Sequence, residues 1–313
     1  MFEIVSDRAN SISVAAARAL ISMRFEPIEA LLARCYFPKE GIFHAAVSGG
    51  SDSLAMTMIA FCAGLEVEIW NLDHKIRPTS QDESAAVRSF GEWLRVPVHS
   101  FAANVPERNV EASARNLRQS FFPAKVATGH TMDDQAETFI LNMLRGSGID
   151  GLASMRPSPE KPILNLRKAD TLRVCEIFSL NPVEDESNQS PKYRRNLVRT
   201  EVIPLLNQIS KRDVVPIIAR STSLLRSDAD FLTELSSGVE TNLVSELLSL
   251  DVAILVRVLR QRIKMISGYP PSARSIERLL AFMGEKRRFS LQMEGKVVAK
   301  VTKGVLSIES LGD

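Results

Sequence analysis

Three stretches carry residue types that could do chemistry. The first is SGGSDS, Ser48 to Ser53, set between an apolar run that stops at Val47 and a new apolar pattern that starts at Leu54. Adjacent glycines such as Gly49 and Gly50 allow backbone conformations closed to other residues and leave room for a ligand to approach the main chain. A helix beginning straight after them turns its N–H groups and positive dipole end toward the loop, which makes an anion site, with phosphate the usual occupant. Ser48, Ser51 and Ser53 add hydroxyls. Asp52 is the odd member, since a carboxylate repels phosphate. Its place is explained either by a divalent cation between it and phosphate oxygens or by a helix-capping role. The nucleoside-triphosphate pattern G-x-x-x-x-G-K-[ST] does not occur in the chain.

The second stretch is TGHTMDDQAETF, beginning at Thr128. On a helix Asp133, Asp134 and Glu137 share one side, with His130 at the turn just before. Three carboxylates and an imidazole could hold Mg2+ or neutralise an incoming amine. Thr131 and Asp134 also read as a T-x-x-D capping pair. That accounts for Thr131, Asp133 and Asp134 but not for His130 or Glu137.

The third group is basic. LDHKIRP contributes His74, Lys75 and Arg77; VEASARNLR spaces Glu111, Arg115 and Arg118 as one charged stripe; YRRNLVR offers Arg194, Arg195 and Arg199. Near the C-terminus VRVLRQRIK puts Arg257, Arg260 (or Gln261) and Lys264 on one helix face, suited to phosphate-backbone contacts. A solvated charged face is the plain alternative for each of these. GSGIDG, from Gly146, matches G-x-G-x-x-G but follows a helix instead of a strand, so it reads as a helix end and a turn.

The elements that must position these residues follow from periodicity. IFHAAV, VEIWNLD, VPVHSF and AKVATGH read as four strands. Helical patterns follow them at Leu54–Met58–Phe61, at SQDESAAVRSFGEWL with Ala85, Phe90 and Leu94 inward, at VEASARNLRQSFF and at DDQAETFILNMLRG. Such alternation implies a parallel sheet with helices on its faces, and ligands on such sheets bind at the carboxyl ends of strands. Both SGGSDS and TGH fall at such ends. After about Pro204 the pattern is almost wholly helical; GYPPSA reads as a turn, SIERLLAFMG as a helix, and RFSLQMEGKVVAKVTKGVLSIES as short strands broken at Gly295 and Gly304.

The chain's 313 residues suit two or three domains, and 45% apolar with 24% charged residues is ordinary for a packed soluble protein. No run approaches 18 apolar residues. Glu3 and Asp7 interrupt an otherwise transit-like N-terminus, which does not read as a targeting segment. Cys35, Cys62 and Cys175 are far apart, which argues against a disulfide framework, a zinc knuckle or an iron–sulfur site and suits a reducing cytoplasm. The net charge of +2 hides an asymmetry: Val252 to Gly304 holds twelve Lys/Arg against three acids. That basic end points to a polyanionic partner or to a solvated face.

SGGSDS resembles the SGGxDS loop of the PP-loop ATP pyrophosphatases. LDHKIRP, NVEASARNLR, ATGHTMDDQAETFILNMLRGSGIDGLASM and PVEDESNQSPKYRRNLVRTEVIPLL are similar, in that order, to the motifs of tRNA(Ile)-lysidine synthetases. Gln119 stands where that family usually has tyrosine. The resemblance implies a parallel-sheet α/β PP-loop domain (adenine nucleotide alpha hydrolase-like) at 1–205, a helical linker domain at 206–267 and a small α+β tRNA-binding region at 268–313. It implies ligation of free L-lysine to C2 of the wobble cytidine of a CAU-anticodon isoleucine tRNA, with ATP and Mg2+, in the cytoplasm, and a homodimer as an open assembly. Asp52, Asp133, Arg115 and Arg195 would then be catalytic, with Asp52 and Asp133 toward the metal. Ser48 to Ser53, His74 and His130 would hold ATP. Arg77, Glu111, Arg118, Asp134, Glu137, Arg199, Arg257, Arg260 and Lys264 would meet the substrates.

Overall fold

A computed structural model of the chain describes residues 26–73, 80–103, 120–183, 194–285 and 288–311. His74, Lys75, Arg77, Glu111, Arg115 and Arg118, with most of the VEASARNLRQSFF helix expectation, lie outside the described residues. The chain divides into two compact units, Met1–Thr222 and Ser223–Asp313.

In the first unit α1 (Glu26–Leu32) leads into β1 (Ile42–Ala46), α2 (Ser51–Cys62), β2 (Glu66–Asp73), α3 (Ser80–Leu94) and β3 (Val98–Ala102). The strands form a parallel sheet in the order β1-β2-β3. Alternation puts Phe43, Ala45, Val67 and Ile69 on the buried face, against α2. Burial of Phe43, Val67 and Ile69 contributes about 1.5–3 kcal/mol each. The opposite face carries His44, Glu68, Trp70 and His99, with Trp70 stacked 4.2 Å from the His99 ring.

Two expectations need correction. The strand read in AKVATGH is reduced to one parallel bridge, Ala45 to Ala127. It is made by Ala46 N–H to Ala127 O and Ala127 N–H to His44 O, both 2.8 Å. The extended pairing ends there because the chain turns at once: the His130 N–H is donated back to Thr128 O (2.8 Å), while the Thr128 N–H, on the side away from β1, is donated to Glu160 O (2.9 Å). On α3, Ala85 is exposed; the buried stripe is Ser84, Val87, Phe90 and Leu94. A methyl group carries too little area to set a helix face, whereas the Ser84 hydroxyl is drawn inward by a hydrogen bond to Asn71 Oδ1 (3.0 Å).

Beyond the bridge come α4 (Met132–Leu144), α5 (Ile149–Leu152), α6 (Lys168–Ile177), α7 (Arg194–Leu197), a π-helical turn (Val198–Val202) and α8 (Ile203–Ser210). GSGIDG is the end of α4 plus a turn into α5, with Gly146 at φ 71°. The unit boundary falls within α9 (Val214–Ser237).

The second unit holds α10 (Val244–Leu248), α11 (Val252–Ser267), α12 (Ala273–Glu285) and an antiparallel sheet of β4 (Phe289–Met293), β5 (Val297–Thr302) and β6 (Val305–Ser310). Thr302 pairs with Val305 across a two-residue turn, Lys303-Gly304, with φ 53° and 77°. Paired positive φ values are what a tight hairpin demands. Asp251 caps α11 by accepting from Ala253 N–H (2.8 Å), and Gly268, at φ 81°, ends it. Leu247, Leu259, Ile263, Leu279, Val297 and Ala299 form a fully buried core.

Candidate active site

The geometry starts from chain order. The path runs β1, β2, β3 in one direction, then returns to the far side of β1 at Ala127. Strand order therefore reverses beside β1, and a crevice opens at the carboxyl ends of the strands flanking such a switch point. The loop after β1 is SGGSDS, and the turn after Ala127 is TGHT.

The loop is built tightly. Asn71 Nδ2 donates to Val47 O (2.8 Å), fixing the last carbonyl before it. Gly49 sits at φ 87°, a left-handed conformation that favours glycine. The buried Ser53 hydroxyl donates to Gly50 O (2.9 Å) and accepts from Ser48 N–H (3.2 Å), so it shapes the loop from inside. Gly50 is the N-cap of α2, so no capping side chain answers the N–H groups of its first turn. Those donors are what an anionic oxygen needs. Ser48 is exposed, and Asp52 is half-buried. The opposing turn is close: a Cβ on Gly129 would lie 2.8 Å from the carbonyl carbon of Asp52.

The acidic turn differs from a free carboxylate cluster. Thr131 is the N-cap of α4, and the Asp134 carboxylate accepts from its N–H (2.8 Å) and hydroxyl (3.0 Å), as the T-x-x-D pairing predicts. His130 Nδ1 lies 2.7 Å from the Thr128 hydroxyl. Glu137 is 1% exposed and takes Arg195 Nε at 2.6 Å and Arg199 Nε at 2.6 Å. Arg195 also reaches Asp134 (2.8 Å). Burial is the largest single influence on Arg199 and works against its charge, but the hydrogen bond to Glu137 and the attraction of the Glu137, Asp134 and Asp52 charges together exceed it and hold the guanidinium above its usual pKa. The structure thus brings Asp134, Glu137, Arg195 and Arg199 into one network.

Asp133 lies apart from that network. It forms a bidentate pair with Arg167 (3.0 and 3.1 Å) and accepts the Lys168 N–H (2.8 Å). Arg167 is further paired with Asp213. Asp52 is likewise engaged: Lys168 Nζ stands 2.8 Å from one oxygen, and the Thr171 hydroxyl donates to the other at 2.6 Å. The start of α6 therefore ties the phosphate loop to the acidic turn. Both carboxylates expected to share Mg2+ are committed to protein cations, and among the described residues no group of three His, Cys, Asp or Glu is arranged to hold a metal. The donor set does not fit an ion held by Asp52 and Asp133 together.

Arg167, Lys168, Thr171 and Asn71 were not singled out from the sequence. The one local signal is LRKADT, a basic pair opening a helix, and Asp170 caps that helix by accepting the Arg167 N–H (2.8 Å). In the second unit, Arg257 is a correction. Expected on an exposed basic face, it is buried and donates to Thr233 Oγ1 (3.1 Å). The apolar stripe Leu255, Val258, Leu259 and Ile263 turns that side of α11 inward. Arg260 is half-buried and Lys264 exposed.

A glycine-rich loop at a helix start, on a parallel sheet and at its switch point, defines a nucleotide-binding α/β domain. It is a PP-loop domain: a family model of that description matches residues 26–206, so the chain belongs to this family. Within it, the chain belongs to the tRNA(Ile)-lysidine synthases. The protein of that name from Nostoc sp. is 31% identical over 286 residues, covering 78% of this chain and 83% of the relative. The one from Gloeobacter violaceus is 31% identical over 80% of this chain and 85% of its own length. The Nocardia farcinica protein is 37% identical over 210 residues, 62% of this chain; the chain spans 64% of that relative, under two thirds. Among solved structures, the U34-tRNA thiolase NcsA from Methanococcus maripaludis with its 4Fe-4S cluster shares the fold. Its TM-score is 0.51 at 15% identity, over 70% of this chain and 81% of that one. Among the described residues no helix is long and apolar enough to cross a membrane.

Proposed function

We propose that this protein is a cytoplasmic ligase that joins the side-chain amine of free L-lysine to C2 of the wobble cytidine in a CAU-anticodon isoleucine tRNA. ATP is consumed, and AMP and pyrophosphate are released. The observation that carries the reading is the facing of two turns across the switch point, the SGGSDS loop and the TGHTMDD turn, in a chain of this family.

The chemistry has two steps. The cytidine C2 oxygen attacks the α-phosphorus, and pyrophosphate leaves with the electron pair of the broken P–O bond. The lysine amine then adds at C2, the C2–O bond breaks, and AMP departs while the amine loses its proton. The α2 N–H groups and the Ser48 and Ser51 hydroxyls suit the polyphosphate. Asp134 suits an ammonium, Glu137 holds Arg195 and Arg199 from its buried position, and those guanidiniums suit a phosphate or the developing charge. His130, at the same turn, suits the nucleotide. Mg2+ would accompany ATP as its counter-ion. The exposed Lys264 and half-buried Arg260 suit phosphate contacts with tRNA, whose strength would fall with salt.

A sulfur-transfer reading finds no support in the cysteines. Burial pushes Cys35, Cys62 and Cys175 each up to about 12, which keeps them as inert thiols. Other readings are another ligase of the PP-loop class or a silent tRNA-binding relative. Incubation with radiolabelled lysine, ATP and unmodified CAU-anticodon isoleucine tRNA should label the tRNA. No label beside an active reference enzyme would refute the proposal.

A further inference from the structure

We propose that Lys168 is the side chain that grips the pyrophosphate half of ATP and stabilises it as it leaves. This deepens the ligase reading above and rests on it.

A carboxylate inside a phosphate loop repels its ligand unless a cation accompanies it. That cation is present in the protein: Lys168 Nζ lies 2.8 Å from Asp52 Oδ2 and 2.8 Å from Ser51 Oγ. Both Asp52 oxygens are occupied, one by Lys168 and the other by Thr171. Asp52 is therefore the anchor of the ammonium. An ammonium donates three hydrogen bonds. Two go to Ser51 and Asp52, and the side chain is 47% exposed at the mouth of the loop. Its third donor suits a non-bridging phosphate oxygen.

The base of Lys168 is held as firmly as its tip. Its own N–H donates to Asp133, which is locked by Arg167. The helix it starts packs along α2 through the buried Thr171, Val174 and Cys175. A charge delivered this way costs little reorganisation when the bond between the α-phosphorus and the bridging oxygen breaks and its electron pair leaves on pyrophosphate. This places a fixed positive charge on the leaving group, where Asp52 and Asp133 offer no ready metal site.

The test measures binding of inorganic pyrophosphate and, separately, of AMP to the full chain by titration calorimetry. It compares wild type, Lys168→Met and Lys168→Arg. Lys168→Met is expected to weaken pyrophosphate about 10- to 100-fold, the worth of one charge-assisted hydrogen bond, and to leave AMP nearly unchanged. Lys168→Arg should keep most of the pyrophosphate affinity. Unchanged pyrophosphate binding in Lys168→Met overturns the proposal, as does wild type that binds no pyrophosphate. An equal loss of both ligands makes Lys168 a structural residue and also overturns it. Wild type that binds both ligands yet transfers no lysine refutes the ligase reading alone, since the pyrophosphate comparison is read without turnover.

Discussion

Replacing Gly129 by alanine asks how tightly the acidic turn is seated on the phosphate loop. The added Cβ would stand 2.8 Å from the Asp52 carbonyl carbon, 2.9 Å from its oxygen and 2.9 Å from Ser53 N. Carbon contacts are comfortable at about 3.5 Å or more, so the methyl overlaps three backbone atoms by roughly half an ångström. None of these is the flexible end of a side chain. The start of α2 cannot recede, because Ser51, Ser53 and every residue from Leu54 to Phe61 are buried. The turn carrying His130 and Asp133 must move instead. Overpacking of this kind costs about 1–3 kcal/mol, which for a unit of this size lowers Tm by roughly 3–10 °C. Displacement of the turn by a sizeable fraction of an ångström should lower kcat/KM for lysine transfer about 10- to 100-fold. Thermal denaturation and the lysine-incorporation assay read the two effects. Gly284→Ala is the matched control: a Cβ there meets nothing within 4 Å, and the exposed helical site should gain about 0.5–1 kcal/mol. A Gly129→Ala protein with unaltered Tm and kcat/KM would show that the two turns are not in contact, and the geometry argued for the site would fall with it.

Glu137→Gln keeps the shape of a buried side chain but turns an amide N–H toward two guanidinium donors. Losing one member of a buried charge network costs about 3–5 kcal/mol; Arg195 and Arg199 are 33% and 42% exposed, so about 2–3 kcal/mol is expected in urea denaturation. A change under about 0.5 kcal/mol would mean that the network contributes nothing to folding. The cysteines predict an alkaline effect. Their thiols rise from 9.0 to about 12 on burial, so across that window the folded chain retains protons that the unfolded chain releases, and stability falls as pH rises. Cys62→Ala should flatten the decline between about pH 9 and pH 11, and a slope equal to that of wild type would disprove the assignment.

The elements were legible where periodicity and punctuation agreed. Strand, loop and helix around SGGSDS, the Thr131–Asp134 cap and the strand breaks at Gly295 and Gly304 each rest on neighbours in sequence, and each is present. Two misreadings share a cause. Ala85 and Arg257 were assigned by spacing alone, and spacing defines a face without saying how wide its buried part is. On α11 that part extends to Arg257, because Thr233 receives its guanidinium (3.1 Å). The strand at Ala127 is cut short for another reason: the chain turns directly after it, with the His130 N–H donated back to Thr128 O (2.8 Å), so a single residue pairs with β1.

The site was half legible, and the missing half is all partners. Asp52, Asp133, Asp134 and Glu137 announced themselves as acids in loops or on one helix side, but whether an acid is free to meet a ligand depends on what stands against it. Asp134 meets Arg195 from 61 positions away, Asp133 meets Arg167 from 34, and Asp52 meets Lys168 from 116. At such separations no local pattern signals the pair. Three residues of similar local character therefore end with three different neighbours. Asp134 and Glu137 hold two partly exposed arginines. Asp133 is locked behind Arg167. Asp52 presents a lysine, which converts the one acidic position of the phosphate loop into a cationic one. The loop's own composition says that it binds an anion; the start of α6, more than a hundred residues later, supplies the charge that makes the aspartate compatible with one.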